Sequence, residues 1–369
     1  MILKQLDLTN FRLYNTLNVQ FHPTLNIIVG DNAQGKTSLI ESIYVLGLTK
    51  SHKTTNDQAL IKTGSDFAKI SGLFDLNGQS VQMDMVVSKQ GKKAKYNQIE
   101  YQRLSDYVGY LGVVMFAPED LDLIKGGPSI RRRFMDLEIG QLSKAYLANL
   151  GHYKRILKER NEVLKQMQKK RLHDETLLEV LTDQLIHYAQ KIMRERTSFI
   201  KKLNDKVVEV YQALSNQGEV VKLEYHPSIL TDLKKAFEKR KQLDVISGTT
   251  TLGPHRDDCG FYFNEDDPFK DVASQGQIRT LALSLRLGTI DLIVESKGKY
   301  PVVLLDDVLS ELDSHRQQNL LGYLNQAAQI FITTTDLDSV PKSAIKEYAL
   351  FEIEQGRIKR SEQNGRKTL

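Results

Sequence analysis

The stretch Gly30-Asp31-Asn32-Ala33-Gln34-Gly35-Lys36-Thr37 constrains this chain more than any other. An apolar run, Leu25-Asn26-Ile27-Ile28-Val29, leads into it, and a helical pattern from Ser38 to Leu48 leads out. Strand, glycine loop and helix together are the setting in which a lysine-bearing loop grips phosphate. The two glycines let the backbone turn tightly, so several N–H groups converge on one concavity. The positive end of the following helix adds to the same spot. In that arrangement Lys36 reaches the β- and γ-phosphates and the Thr37 hydroxyl ligates Mg²⁺. Gly30, Asp31, Asn32, Ala33, Gln34, Gly35, Lys36 and Thr37 are therefore the expected ATP cradle.

A phosphate loop needs a carboxylate to hold the metal. Leu304-Leu305-Asp306-Asp307 supplies one at the end of a fully apolar strand, where ligands gather in an open α/β sheet. Asp306 is the expected metal-side residue with Thr37, and Asp307 is placed to orient or deprotonate the attacking water. Lys36, Asp306 and Asp307 form the expected catalytic set. Further up the chain, Ser274-Gln275-Gly276-Gln277 opens a helix carrying Ile278, Leu281 and Leu285. Ser274 is a good N-cap, and Gly276 leaves the first turn bare enough for a phosphate to approach. A second phosphate-ready helix start in a chain with a complete cradle suggests a γ-phosphate held between two copies. Ser274, Gly276 and Gln277 are thus candidate nucleotide contacts across a homodimer, the alternative being simply a capped helix. Ser310-Glu311-Leu312-Asp313 suits a polar loop at that boundary.

At 369 residues the chain is long enough for more than one compact domain. Its single cysteine, Cys259, excludes an internal disulfide framework and points to a reducing compartment. No apolar run approaches the about 20 residues needed to span a bilayer, and the N-terminus lacks a signal-peptide layout. The expectation is a cytoplasmic protein with no membrane partner. The fold class expected is α/β, a mixed sheet with flanking helices and an inserted all-helical arm. Residues 1–125 would form the first half of the ATPase domain, 126–245 the arm, and 246–369 the second half. The arm reading rests on two helical stripes, Tyr146 to Met167 and Leu178 to Leu214, without a proline between about Ile130 and Leu214. These read as two long antiparallel helices, each roughly 50 to 60 Å. The break between them spans Lys169 to Glu175. Asn77-Gly78 signals a two-residue hairpin, and the lysines from Lys89 to Lys95 read as another hairpin's tip. Ala328 to Thr333 reads as a central strand, and the basic tail from Glu352 to Leu369 as frayed.

These elements, in this order, resemble the ABC-type ATPases of the SMC group, which maintain chromosomes. Within that group the chain is most similar to the RecF family of bacterial recombination mediators. The resemblance rests on Asn10-Phe11-Arg12, Gly30 to Thr37, Phe116 to Leu121, Arg131-Arg132-Arg133-Phe134, Leu252 to Asp258, Ser274 to Gln277 and Leu304 to Asp313. It implies an ABC-type P-loop head that binds ATP with Mg²⁺, hydrolyses it slowly under stimulation by DNA, and dimerises on it. It also implies DNA binding on single-stranded and gapped or duplex DNA. It implies work with RecO and RecR that helps RecA load, in recombinational repair, replication and the SOS response. Asp307 departs from the wider ABC pattern, which has glutamate there. Thr333-Thr334-Thr335-Asp336 stands where that pattern often has histidine, so the γ-phosphate sensor stays open.

DNA contact is expected through the phosphate backbone. Residues 151–171 carry eight Lys/Arg against two Glu, including Lys154, Arg155 and Lys158. Arg131, Arg132 and Arg133 form a compact triplet, and Lys92 and Lys93 crowd the supposed hairpin tip. Interleaved aromatics that would stack bases are not evident. His255, Asp257 and Cys259 fit no zinc spacing. The competing classes are an ABC subunit serving a separate nuclease or a membrane partner, and a small-molecule kinase, which would leave Ser274 to Gln277 unexplained.

Overall fold

A computed structural model describes residues 1–170, 174–215, 219–230, 232–263, 267–324, 329–341, 347–363 and 366–368. The expectations for Arg171 to His173 in the helical break, and for Ala328 as a strand start, lie outside them. The chain forms two compact units, Met1–Asp120 with Leu283–Leu369, and Leu121–Ala282.

The first unit begins with β1 (Ile2–Phe11), β2 (Tyr14–Gln20), β3 (Leu25–Val29) and α1 (Lys36–Leu48). Then come β4 (Phe67–Leu76), β5 (Gln79–Ser88), β6 (Gly91–Tyr96), β7 (Ile99–Tyr101), α2 (Leu104–Tyr107) and β8 (Val113–Phe116). Asn77 and Gly78 both take positive φ, 53° and 85°, as a two-residue hairpin between β4 and β5 requires. Only Lys89 and Gln90 of the lysine stretch form the hairpin tip; Lys92, Lys93 and Lys95 lie along β6, paired to β5. Strand alternation therefore sends Lys92 inward.

The second unit holds α3 (Leu121–Lys125), α4 (Pro128–Leu142), α5 (Lys144–Gln168), α6 (Glu175–Leu214) and β9 (Val221–His226). It continues with α7 (Leu233–Ser247), β10 (Asp258–Phe263), β11 (Asp267–Pro268), α8 (Phe269–Val272) and the start of α9 (Gln275–Lys297). Two corrections follow. The first long helix is broken at Ser143, whose side chain caps α5 by accepting from the Tyr146 amide. So α5 spans only about 38 Å while α6 reaches about 60 Å. Nor is the unit all-helical: β9 pairs with β10, and β10 with β11, in a three-stranded sheet. Alternating Val221, Leu223 and Tyr225 carried that strand signal.

The antiparallel register of α5 and α6 is fixed by polar bonds inside an apolar seam. Arg160 of α5 donates to Thr182, and Arg196 of α6 donates to the Tyr146 hydroxyl. Arg160 is buried, bonding Asp244 and Thr250 at 2.8 and 2.7 Å, with its guanidinium 5.4 Å from the Phe237 ring.

The chain returns to the first unit through β12 (Val302–Asp306), α10 (Ser314–Leu324), β13 (Ile330–Thr334), β14 (Tyr348–Glu354), β15 (Arg357–Gln363) and β16 (Arg366–Thr368). The tail is therefore not frayed over these strands; it completes a sheet. This unit has a six-stranded sheet, β2-β1-β4-β5-β6-β7, and a seven-stranded one, β16-β15-β14-β3-β13-β12-β8. In the second, β14, β3, β13, β12 and β8 run parallel. Their apolar runs are buried, as parallel strands demand.

Candidate nucleotide site

The phosphate loop sits at the carboxyl end of β3 and feeds α1. Gly35 takes φ 114°, a turn that glycine makes without a Cβ penalty, and Ala33 takes φ 64° despite having one. Gly30 is needed for space instead: a Cβ there would meet the Ile353 carbonyl oxygen at 2.3 Å. The loop is braced from two sides. The Tyr14 hydroxyl donates to the Gly35 carbonyl at 3.0 Å. The Gly356 amide donates to the Gln34 carbonyl at 2.9 Å, and the Gln355 amide to the Gln34 side chain at 2.7 Å. The Lys36 ammonium donates to the carbonyls of Gly30 and Asp31 at 2.5 and 2.8 Å. Burial lowers its pKa, opposed by Asp307, Asp306 and Asp31.

Two strands away, β12 delivers Asp306 to the same loop. The Thr37 hydroxyl donates to Asp306 Oδ1 at 2.8 Å, and Thr333 on the intervening β13 donates to the same oxygen at 2.8 Å. Lys53 approaches Oδ2 at 3.8 Å. Burial raises the Asp306 pKa, while the Thr333 and Thr37 hydrogen bonds oppose the rise. A hydroxyl and a carboxylate in contact beside a bare amide loop are the hard oxygen donors that Mg²⁺ takes together with a nucleotide's phosphates. Asp307 follows at φ 53°. Its amide donates to Thr333 Oγ1 at 3.0 Å, and Ser310 donates to its carbonyl at 2.7 Å. The sequence alone did not single out Lys53 or give Thr333 a role. A lone lysine after a serine and a histidine carries no spacing signal, and Thr333 is legible only once β13 lies between β3 and β12.

A relay behind the loop positions Lys53. Arg12 grips Glu41 with two bonds of 2.9 and 2.8 Å, and Ser51 donates to Glu41 Oε1 at 2.5 Å. Ser51 in turn accepts from the amides of Lys53 and Thr54. Arg12 and the nearby charges depress Glu41 despite its burial.

In the second unit, Ser274 and Gln277 form a reciprocal cap on α9. The Ser274 hydroxyl accepts from the Gln277 amide at 3.3 Å, and the Gln277 side chain accepts from the Ser274 amide at 2.6 Å. Ser274 is exposed, and Gly276 lies in the first turn. Gln277 also donates to Glu219 at 2.7 Å.

The expected DNA contacts divide by geometry. Lys154, Arg155 and Lys158 are exposed on α5, Lys154 lying 3.3 Å from Asp136. Lys93 is exposed on β6, 3.3 Å from Glu100. Lys92 is instead nearly buried, bonded to Asp57 at 2.7 Å and to the Thr49 carbonyl at 2.6 Å. Arg131 is paired with Asp258 through two bonds of 2.8 Å, and Arg132 donates to the Asp257 carbonyl. These three lie against the fold because each is tied to an acceptor of the fold itself, a property that a run of basic letters does not reveal. Arg133 is half-buried. Among the described residues, no cluster of His, Cys, Asp and Glu could hold a metal ion, and no helix is long and apolar enough to cross a membrane. Cys259 is buried, its thiol pushed up to about 12 by burial.

The family model of the RecF/RecN/SMC N terminal domain matches residues 2–359. The DNA replication and repair protein RecF of Bacillus velezensis is 45% identical over 369 residues, covering 97% of this chain and 100% of that protein. A solved structure of the recombination mediator protein RecF-ATP in the RecFOR pathway superposes with a TM-score of 0.88 at 30% identity, over 98% of this chain and 97% of that one. An Smc head bound to the C-winged helix domain of ScpA shares the fold, with a TM-score of 0.54 at 14% identity over 100% of this chain and 97% of that one. A phosphate loop, an apolar strand ending in the Asp pair, and this breadth of likeness place the chain in the RecF/RecN/SMC family, among the RecF proteins.

Proposed function

We propose that the protein is a cytoplasmic, ATP-dependent DNA-binding protein of recombinational repair and replication, a slow ATPase that DNA stimulates. The observation that carries this reading is the 2.8 Å contact between Thr37 and Asp306, which joins the phosphate loop to the carboxylate strand. Gly30 to Thr37 cradle the triphosphate, and Lys36 moves from its two carbonyls onto the β- and γ-phosphates. Thr37 and Asp306 hold Mg²⁺, which when bound neutralises developing phosphate charge. Asp307, fixed by Thr333 and Ser310, aligns the attacking water. It is one methylene shorter than glutamate, which fits slow turnover. Ser274, Gly276 and Gln277 read the γ-phosphate of a second copy, so ATP closes a homodimer.

On this reading the closed dimer holds DNA, single-stranded and gapped or duplex, through Lys93, Arg133, Lys154, Arg155 and Lys158, without base readout. RecO and RecR are its partners in helping RecA load, which supports SOS induction. The relatives' names as RecF and the RecFOR pathway support this assignment. The test compares Lys36→Arg, Ser274→Arg and Ser274→Ala by nucleotide titration and sedimentation. Lys36→Arg is expected to bind ATP yet scarcely hydrolyse it, because a cation survives with altered geometry. Ser274→Arg is expected to bind ATP as a monomer. Ser274→Ala removes the cap, about 1 kcal/mol, together with the hydroxyl that meets the γ-phosphate, and is expected to dimerise more weakly than wild type while Gly276 and Gln277 keep part of the contact. ATP-driven pairing of Ser274→Arg at the normal affinity would remove the role across subunits.

A further inference from the structure

The segment Gly253 to Asp258 is held at nearly every residue. The Pro254 carbonyl accepts from Arg196 at 2.7 Å. His255 bonds the Tyr153 hydroxyl at 2.6 Å and the Thr250 carbonyl at 3.0 Å. Asp257 accepts from the Ser228 amide at 2.7 Å and from the Tyr225 hydroxyl, and its carbonyl accepts from Arg132 at 2.8 Å. Asp258 takes both bonds from Arg131, and Ser228 and Gly253 bond each other. Arg196 and Asp257 are buried. Buried ion pairs of this kind add little net stability, since desolvation offsets the attraction, but they fix geometry.

One side chain in the segment stands apart. The Arg256 backbone amide donates to the Gly253 carbonyl at 2.8 Å, while its guanidinium is exposed and has no hydrogen bond or ion pair among the described residues. A rigid frame thus presents one unneutralised planar fork to solvent, beside Arg132. Burial and the neighbouring Arg256 and Arg132 cations lower the His255 pKa, so the imidazole stays neutral and does not compete for an anion. The fork matches two oxygens of a phosphate.

We infer that Arg256 is a phosphate-contacting residue and that Arg131 and Arg132 are positioning residues that hold its loop. The inference rests on the proposed function and shifts part of the basic triplet's role from direct contact to support. The oxyanion is a phosphodiester of the DNA backbone or a phosphate of the nucleotide, and two arms of one experiment separate these sources. Wild type, Arg256→Ala and Arg256→Lys are titrated with a fluorescein-labelled duplex at several salt concentrations with MgATP, and separately with a fluorescent ATP analogue.

For a backbone contact, Arg256→Ala lowers the log–log salt slope by about 0.9 and leaves nucleotide affinity within about twofold. Arg256→Lys then keeps the slope, because the charge remains. For a nucleotide contact, the analogue's Kd rises several-fold in Arg256→Ala while the DNA slope holds. The unfolding midpoint stays at the wild-type value in both variants. Unchanged slope and unchanged nucleotide affinity in Arg256→Ala overturn the inference alone. A lowered midpoint in Arg256→Ala that Arg256→Lys does not rescue also overturns it, since that marks a structural side chain. A wild-type protein that binds neither probe overturns the functional reading and the inference with it.

Discussion

Replacing Gly30 with alanine tests the construction of the phosphate loop most directly. The added Cβ would stand 2.3 Å from the Ile353 carbonyl oxygen, whereas carbon and oxygen in close contact sit about 3.3 Å apart. One of them must therefore move by about 1 Å. Ile353 cannot yield cheaply, because β14 is locked beside β3 in the register Glu352 to Val29. The next turn is tied to Gln34 by the Gln355 and Gly356 amides. Overpacking costs about 1–3 kcal/mol, and losing those two bonds costs about 1 kcal/mol each, so the loss is about 3–5 kcal/mol. For a folding unit of this size that lowers Tm by roughly 10 °C. Differential scanning calorimetry measures it, and a nucleotide titration checks the accompanying loss of ATP affinity. Gly151→Ala is the control: nothing lies within 4 Å of the added atom on α5. It is expected to stabilise by about 0.5–1 kcal/mol. A Gly30→Ala protein melting within about 2 °C of wild type with unaltered ATP affinity would refute the reasoning.

Thr37→Val is expected to keep the loop but lose Mg²⁺-dependent nucleotide binding, read by titration with and without the metal. Asp244→Asn leaves the buried Arg160 without its counter-charge, and urea unfolding should report a loss of about 3–5 kcal/mol. His52 supplies a pH prediction. Both ring nitrogens are buried without a hydrogen-bond partner among the described residues, and burial lowers its pKa from 6.5 to about 4. The unfolded chain therefore binds a proton below about pH 6.5 that the folded chain refuses until about pH 4, so stability falls across that window. The full effect is about 3 kcal/mol. Urea unfolding at pH 7.5 and pH 5 should show a smaller pH loss in His52→Gln than in wild type; equal losses would exclude His52 as the source.

The phosphate loop and Asp306 were legible because each follows an apolar run that only a buried parallel strand explains, and because glycine spacing is itself a backbone statement. β15 was illegible. Arg357-Ile358-Lys359-Arg360-Ser361-Glu362-Gln363 is strand only through its pairing with β14, a long-range effect that local composition cannot carry. The break at Ser143 was hidden for a related reason. No proline marks it, Gly140 lies inside the last turn of α4 rather than at its end, and the remaining local sign is a serine three residues before Tyr146. Basic residues were the least legible, since Lys92 and Lys93 are neighbours in sequence yet one is sequestered and the other is in water.

The placement of β3 has a consequence for synthesis. Its only pairing partners among the described strands are β13 and β14, which leave the ribosome some 300 residues later. At about 5–20 residues per second, the edges of β3 wait roughly 15–60 seconds for their partner strands. The meander of β1, β2 and β4 to β7 has no such delay. A growing chain can therefore complete that meander long before it can grip nucleotide, and in the interval β3 is the segment that a chaperone has most reason to shield.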